Sequence, residues 1–346
     1  METITTLSQL LTNSGCEFRI FDLGRRISPI DHKTFVDVEK GLQPYPYPLQ
    51  RKAHIAIAYW NEQQQPWIWF LKFELDERGL LKQAEIGQFL KYVMEAMGTR
   101  LSKDISEEQQ QKLANNPYTY KPSEDKMAVF HSQIRAALNL PTSQYYEHAQ
   151  HYFQGGLGWE NWQTVGLQGI TDMCARLGQD NNQVILRTSL SHLPTQPLYA
   201  LLGALEHTTI PDKLAERLLD IAHQKITAND PDIFLISALV RSLSGAPNAL
   251  NTLVDAVLAN PKLSHQEVLV GIAGRAWQIL GDSGIATRFL VRLAETGNQP
   301  LFNQLFADLV MIPKLRMVLL PLLHSSPSPE LARALTELQR SAKGNA

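Results

Sequence analysis

The feature that most constrains this chain is a self-similarity of about 34 residues in its C-terminal half. Leu167-Gln168-Gly169-Ile170, Leu201-Leu202-Gly203-Ala204, Leu235-Ile236-Ser237-Ala238 and Leu269-Val270-Gly271-Ile272 follow one another at that interval, each with a small residue in third place. Ile185, Leu219 and Leu253 recur in phase with them, within apolar stretches from Val184 to Leu190, Leu214 to Ile226 and Leu250 to Leu258. Each interval therefore reads as a helical hairpin. A single hairpin cannot cover its own apolar stripe, and stacking on the next one buries it. Small residues in third place let neighbouring helices approach closely. The tetratricopeptide length is matched without its Trp, Gly-Tyr and terminal Pro signature, so the expected fold of this half is an all-α helical-hairpin repeat, a HEAT-like α-solenoid. An irregular helical bundle is the alternative.

Local signals agree with that register. Asp230 before Pro231 reads as an N-cap followed by N1, and Ser264 with Glu267 reads as a capping box. Gly245 and Gly281 read as helix ends. The last pairs, Pro300 to Val310 and Lys314 to Leu323, drift by a residue or two, and Leu331 to Leu338 reads as a terminal amphipathic helix. Terminal repeats deviate because one face must meet water.

Ahead of the repeat the chain is mixed α and β. Thr3 to Leu11 has helical spacing, and Glu17 to Ile20 alternates as a strand whose pattern runs on to Ile27 before Pro29. A helix is expected from about Asp31 to Lys40, and Pro44-Tyr45-Pro46-Tyr47-Pro48 forces an extended connector. Ala53 to Trp60 and Trp67 to Leu75, joined by Asn61 to Pro66, read as a β-hairpin with Trp67, Trp69, Leu71 and Phe73 on one face. Ala84 to Met97 carries the one-sided stripe of a helix packed on a sheet. Glu107 to Gln111 reads as a short exposed helix within a linker, and Met127 to Leu140 regains helical apolar spacing until Pro141 ends it. The division expected is an α+β N-terminal domain over 1–98, a linker and connecting helix over 99–140, and the helical repeat over 141–346.

Bulk properties narrow the function classes. Lys and Arg number 32 against 34 Asp and Glu, and no third of the chain is basic. A nucleic-acid binder draws most of its affinity from phosphate neutralisation, so the balance argues against one. Cys16 and Cys174 form neither a disulfide framework nor a zinc site. The longest apolar stretch, Leu309 to Leu323, is interrupted by Lys314 and Arg316 and is too short to span a bilayer. With no basic and apolar leader at Met1, the cytoplasm is the expected compartment.

Chemistry-bearing patterns are few. Asp22-Leu23-Gly24-Arg25-Arg26 places two guanidinium groups beside an acid at a strand end, where an Arg fork clamps phosphate or carboxylate; internal pairing of Asp22 around a Gly24 bulge is the plainer reading. Asp22, Arg25, Arg26, Arg51 and Lys52 are the candidate ligand- or partner-binding residues. His148 and His151 share a helix face but lack further metal ligands, and Gly155-Gly156-Leu157-Gly158 lacks the ending of a phosphate loop. Trp60, Trp67, Trp69, Tyr45, Tyr47 and Tyr59 form either a stacking platform or, more simply, core. No catalytic residue, metal ligand or cofactor is assigned.

The peptides Phe18-Arg19-Ile20-Phe21-Asp22-Leu23-Gly24-Arg25-Arg26 and Trp67-Ile68-Trp69-Phe70-Leu71-Lys72, with Leu75-Asp76-Glu77, resemble those of an uncharacterised bacterial family, a domain of unknown function about as long as this chain. The resemblance implies a bacterial cytoplasmic protein and brings no activity. The leading expectation is a non-catalytic scaffold or adaptor whose partner is another protein. Two alternatives stand beside it: an RNA-associated protein using Arg25, Arg26, Arg51 and Lys52, and an enzyme with a site between its two domains using Asp22, Arg25 and His54.

Overall fold

The computed structural model describes residues 4–61, 66–98, 101, 108, 111, 113, 116–324 and 328–344. Most of the helix expected over Glu107 to Gln111, and most of the connection between Asn61 and Pro66, lie outside them. The chain forms a small N-terminal four-stranded antiparallel sheet with helices, followed by a helical C-terminal region. It divides into two compact units, Met1–Ser123 with Met311–Pro313, and Glu124–Val310 with Lys314–Ala346.

In the first unit, strands β1 (Glu17–Asp22), β2 (Ser28–Ile30), β3 (Lys52–Trp60) and β4 (Trp67–Glu74) lie in the order β2-β1-β3-β4. The β3–β4 hairpin pairs Ile55 with Leu71 and Ile57 with Trp69, so the alternating apolar residues fall on one face. Helices α1 (Leu7–Asn13), α2 (His32–Glu39) and α3 (Gln83–Met97) contribute to the same core through Leu10, Phe35, Val38, Ile86, Phe89 and Val93. Each such side chain, withdrawn from water, contributes about 1.5–3 kcal/mol. Tyr59, Trp60 and Trp69 are buried, which makes the strand aromatics core rather than platform. Tyr118–Tyr120 runs along the β4 edge, Lys72 N–H donating to Tyr118 O at 2.7 Å and Tyr120 N–H to Phe70 O at 3.1 Å. That pairing covers an edge otherwise open to another strand.

Two local findings differ from the sequence reading. The stretch after Asp22 is a turn, and Ser28-Pro29-Ile30 returns as an edge strand, Phe21 pairing with Pro29. Proline is tolerated there because an edge position need not donate to a neighbour. Helix α1 begins at Leu7 behind the Thr6 cap rather than at Thr3, and the buried Glu39 carboxylate accepts from its first amides, Leu7 N–H at 2.7 Å and Ser8 N–H at 3.2 Å. Burial raises the Glu39 pKa above its ordinary value, against the opposing pull of those hydrogen bonds.

The second unit begins with α4 (Glu124–Ala137) and α5 (Tyr146–Phe153). After a 3₁₀ turn at Trp159–Thr164 come α6 (Leu167–Ala175), α7 (Asn182–Ser189), α8 (Thr195–Leu205), α9 (Asp212–Ile226), α10 (Ile233–Ser242) and α11 (Pro247–Ala259). Helices α12 (Gln266–Arg275), α13 (Ser283–Glu295), α14 (Gln299–Val310), α15 (Pro313–Leu322) and α16 (Pro329–Gly344) complete it. Helix α4 packs on α6, α6 on α8, α8 on α10, α10 on α12 and α12 on α14. A second series runs α5, α7, α9, α11 and α13, with α16 against α13 and α14. The 34-residue quartets all fall on the first series, in α6, α8, α10 and α12, and Ile185, Leu219 and Leu253 on the second.

The small third residues do not all act alike. A Cβ on Gly271 would lie 2.9 Å from Ser237 Oγ, so the third positions of α10 and α12 face each other. A Cβ on Gly169 would lie 2.5 Å from Tyr145 O, whereas one on Gly203 meets nothing within 4 Å. Helix starts at 167, 195, 233, 266 and 299 are uneven, because α8 begins early behind Pro194. Two caps also differ. Asp232, not Asp230, caps α10 by accepting from Leu235 N–H at 3.0 Å. His265, not Ser264, caps α12, its Nδ1 accepting from Glu267 N–H at 3.2 Å.

Candidate functional site

The Asp22–Arg26 peptide closes the end of β1. Asp22, Arg25 and Arg26 are all buried, Arg25 completely. Asp22 accepts from the Tyr45 hydroxyl at 2.8 Å and from the Arg25 backbone N–H at 3.2 Å. Arg25 Nε donates to Pro48 O at 2.9 Å, and Leu23 N–H to His54 O at 2.8 Å. The five-residue peptide thereby clasps the proline connector to β1 and β3. Gly24 is closely packed, since a Cβ there would lie 3.2 Å from Asp22 Oδ1 and 3.3 Å from both His54 Nδ1 and Leu49 Cβ, and the neighbours would have to give by a few tenths of an ångström. Burial, then the Asp22 charge, pushes the Tyr45 hydroxyl well above its ordinary pKa and raises Tyr47 and Tyr120 as well. The Tyr120 hydroxyl is buried without a hydrogen-bond partner among the described residues, its ring edge-on to His54 at 5.3 Å.

Arg51 and Lys52 belong to a different surface. Leu49 and Lys52 exchange two backbone hydrogen bonds of 3.0 Å around Gln50 and Arg51, both with positive φ, 51° and 59°. Non-glycine residues pay a conformational cost in that region. The turn borders an open cleft of about 390 Å³ with Glu74, Asp76, Glu77 and Lys82, where Lys82 pairs with Glu74 and the Asp76 and Glu77 carboxylates offset Arg51 and Lys52. Of the four cations expected to form a basic patch, Arg25 and Arg26 are thus withdrawn from solvent and Arg51 and Lys52 sit among carboxylates.

The second unit holds charged groups that sequence reasoning missed. Asp172 on α6 is fully buried and accepts from Ser132 Oγ at 2.7 Å and from Ser143 N–H at 2.9 Å, with Arg176 Nη1 at 3.4 Å. Arg176 Nη2 donates to Leu140 O at 3.2 Å, and Asn182 and Tyr146 extend the network. The signal was present, since Asp172 and Arg176 stand four apart among Ile170, Met173, Cys174 and Leu177.

Further along, a charge ladder joins three successive helices. Glu206, which caps α8, lies 2.9 Å from Arg241 Nε of α10 and 2.9 Å from Arg275 Nε of α12. Arg241 Nη1 reaches Glu267 at 3.3 Å. The Arg241 Nε contact is an ion pair whose angle falls outside hydrogen-bond geometry, while Arg275 Nε makes a true bond to Glu206. On the second series, Arg288 Nη2 of α13 meets Asp255 Oδ1 of α11 at 2.5 Å, and Arg292 Nε donates to Leu258 O at 2.8 Å. Glu206–Arg241, Asp255–Arg288 and Leu258–Arg292 span 35, 33 and 34 residues, close to the repeat, whereas Glu206–Arg275 spans 69 and Arg241–Glu267 spans 26.

His148 and His151 are exposed on α5, His148 Nε2 lying 3.0 Å from Thr164 Oγ1. Among the described residues no group of three His, Cys, Asp or Glu side chains could hold a metal ion, and no helix is long and apolar enough to cross a membrane. Gly155 ends α5 with φ of 83°. Within Leu309 to Leu323, Leu309, Leu315 and Leu319 are buried, while Met317 and Leu320 face solvent.

This pairing of a small antiparallel sheet unit with a helical unit carries its own sequence signature. Residues 2–339 match the family model described as "Protein of unknown function (DUF3549)". The chain belongs to that family. No curated protein and no solved structure gave a significant match.

Proposed function

We propose that the chain is a non-catalytic protein-interaction scaffold or adaptor, working in a bacterial cytoplasm, whose second unit is a HEAT-like α-solenoid. The observation that carries this reading is the ladder from Glu206 through Arg241 and Arg275. One carboxylate at the end of α8 meets two arginines that stand 34 residues apart near the ends of α10 and α12, and that matched placement of Arg241 and Arg275 supports a regular stack over an irregular bundle. Stacks of this kind offer extended surfaces, and their neighbour-to-neighbour contacts tolerate a long, shallow partner. The buried Asp22 and Arg25 are committed to the clasp, which leaves the interaction role to the helical unit.

Affinity purification of the tagged full chain from native cells, with nuclease added to the lysate, tests the proposal. A protein partner recovered in stoichiometric amount after nuclease treatment supports it. Recovery of no such partner, or loss of all bound protein with nuclease, counts against it and returns the RNA reading.

A further inference from the structure

Helix α15 is apolar on two sides. Leu315 and Leu319 are buried, whereas Met317 is 78% exposed, more than any other large apolar residue among those described, and Leu320 also faces solvent. Lys314, Pro321 and His324 are exposed as well. At 3.6 residues per turn, Lys314, Met317, Leu320 and Pro321 fall within about 120° of the helix circumference, and His324 continues the strip past the last turn. A surface helix normally carries one apolar stripe, toward the core, with polar residues opposite. Here the opposite side is apolar at its centre, which marks a place of association.

Charge decides what fits there. From Leu309 to Pro329 the sequence contains no Asp or Glu, and it carries Lys314, Arg316 and His324. Arg316 is half-buried, its Nε donating to Val310 O at 3.1 Å. Lys314 and His324 stand at the two ends of the strip, and among the described residues neither makes an ion pair. A second copy set on this strip about a two-fold axis would bring basic residue against basic residue in either helix direction, with no carboxylate on either side. A bilayer asks for more than the strip offers, since a single acyl chain binds only marginally and stable attachment takes two anchoring signals. An acidic, partly apolar segment answers both halves of the strip. Its carboxylates meet Lys314 and Arg316, and its apolar side chains meet Met317 and Leu320. Methionine, unbranched and flexible, adapts to such a contact. The ten residues of α15 run about 15 Å, so the matching element is a helix of about three turns with its apolar residues three and four apart.

We propose that the solvent face of α15 docks an acidic amphipathic helix of a partner protein. The proposal rests on the scaffold reading and gives it a specific surface and a partner chemistry.

Phage-displayed helical peptides of about sixteen residues are panned against the full chain and against its Lys314→Glu, Met317→Ser variant, and those enriched by the parent alone are measured as synthetic ligands. The expected peptides carry a net negative charge beside apolar residues at helical spacing. Each single substitution is expected to weaken their binding at least tenfold. The Lys314→Glu loss shrinks as salt is raised, while the Met317→Ser loss persists. Both positions are exposed, and a carboxylate in the first turn of a helix is favourable, so the variants keep their fold, which circular dichroism checks. Peptides that do not distinguish parent from variant, or that are neutral or basic, overturn the assignment. So does a dimer in sedimentation, or flotation with phosphatidylserine vesicles, that the double variant loses. A cellular partner held equally by parent and variant sinks the α15 surface and leaves the scaffold standing.

Discussion

Asp172→Ala isolates the largest single electrostatic commitment in the helical unit. The substitution leaves the Arg176 guanidinium, 4% exposed at its side chain, with its bond to Leu140 O and no carboxylate partner. Stranding one partner of a buried ion pair costs about 3–5 kcal/mol. Ser143 N–H loses its acceptor, and Ser132 Oγ keeps Thr171 Oγ1 at 2.9 Å, so the further loss is about 1 kcal/mol. These costs overlap because the groups share one site, and about 4 kcal/mol is expected in total. For a unit of this size that is a fall in Tm of about 8–16 °C. Replacing both partners, Asp172→Leu with Arg176→Met, removes the stranded charge and returns stability to within about 2 kcal/mol of the parent. Thermal melts followed by circular dichroism, with hydrogen exchange on peptides from α4 and α6, measure both variants. Equal losses in the single and double variants would refute the reasoning, because the cost would then be volume rather than charge.

Arg25→Ala is expected to destabilise the first unit by about 3 kcal/mol by emptying a fully buried site and freeing Pro48 O, and chemical denaturation of the purified full chain checks it. Gly203→Ala stabilises by about 0.5–1 kcal/mol, since the added methyl meets nothing within 4 Å on a helix. Gly245→Ala, whose Cβ would sit 1.8 Å from Thr208 O, destabilises by about 3 kcal/mol in the same melts. Glu39 binds its proton more tightly folded than unfolded, so it supports the fold below the ordinary glutamate range and that support is lost as pH rises through the elevated folded value. The Tm of Glu39→Gln minus that of the parent therefore grows from acid toward neutral pH, and a flat or falling difference would reject the assignment.

Legibility in the sequence followed the range of the interaction. The β3–β4 hairpin was readable because Ile55, Ile57, Trp69, Leu71 and Phe73 alternate strictly, and their burial depends on nearest pairing. The strand Ser28–Ile30 was hidden, three residues being too few for a period and Pro29 arguing against a strand. The caps failed by one or two residues for a related reason. Asp230 and Asp232 flank Pro231 with the same chemistry, and only the position of Leu235 N–H chooses between them. The arginine doublet at Arg25 and Arg26 reads equally as a clamp for a ligand or as an internal clasp; Tyr45 and Pro48, 23 residues from their partners Asp22 and Arg25, make it the second. Spacing gave the repeat, yet Gly203 faces open space while Gly271 meets Ser237, a distinction that only the three-dimensional packing of each helix makes.

That last contact gives the most direct test of the stacking on which the scaffold reading depends. With Ser237→Cys and Gly271→Cys in the full chain, mild oxidation should join the α10 and α12 peptides by a disulfide that mass spectrometry detects and reductant removes, because the Gly271 Cβ position lies 2.9 Å from Ser237 Oγ. Near-complete linkage of 237 to 271 is the predicted result. An unlinked pair, or one that links instead to Cys16 or Cys174, would contradict the stacked arrangement.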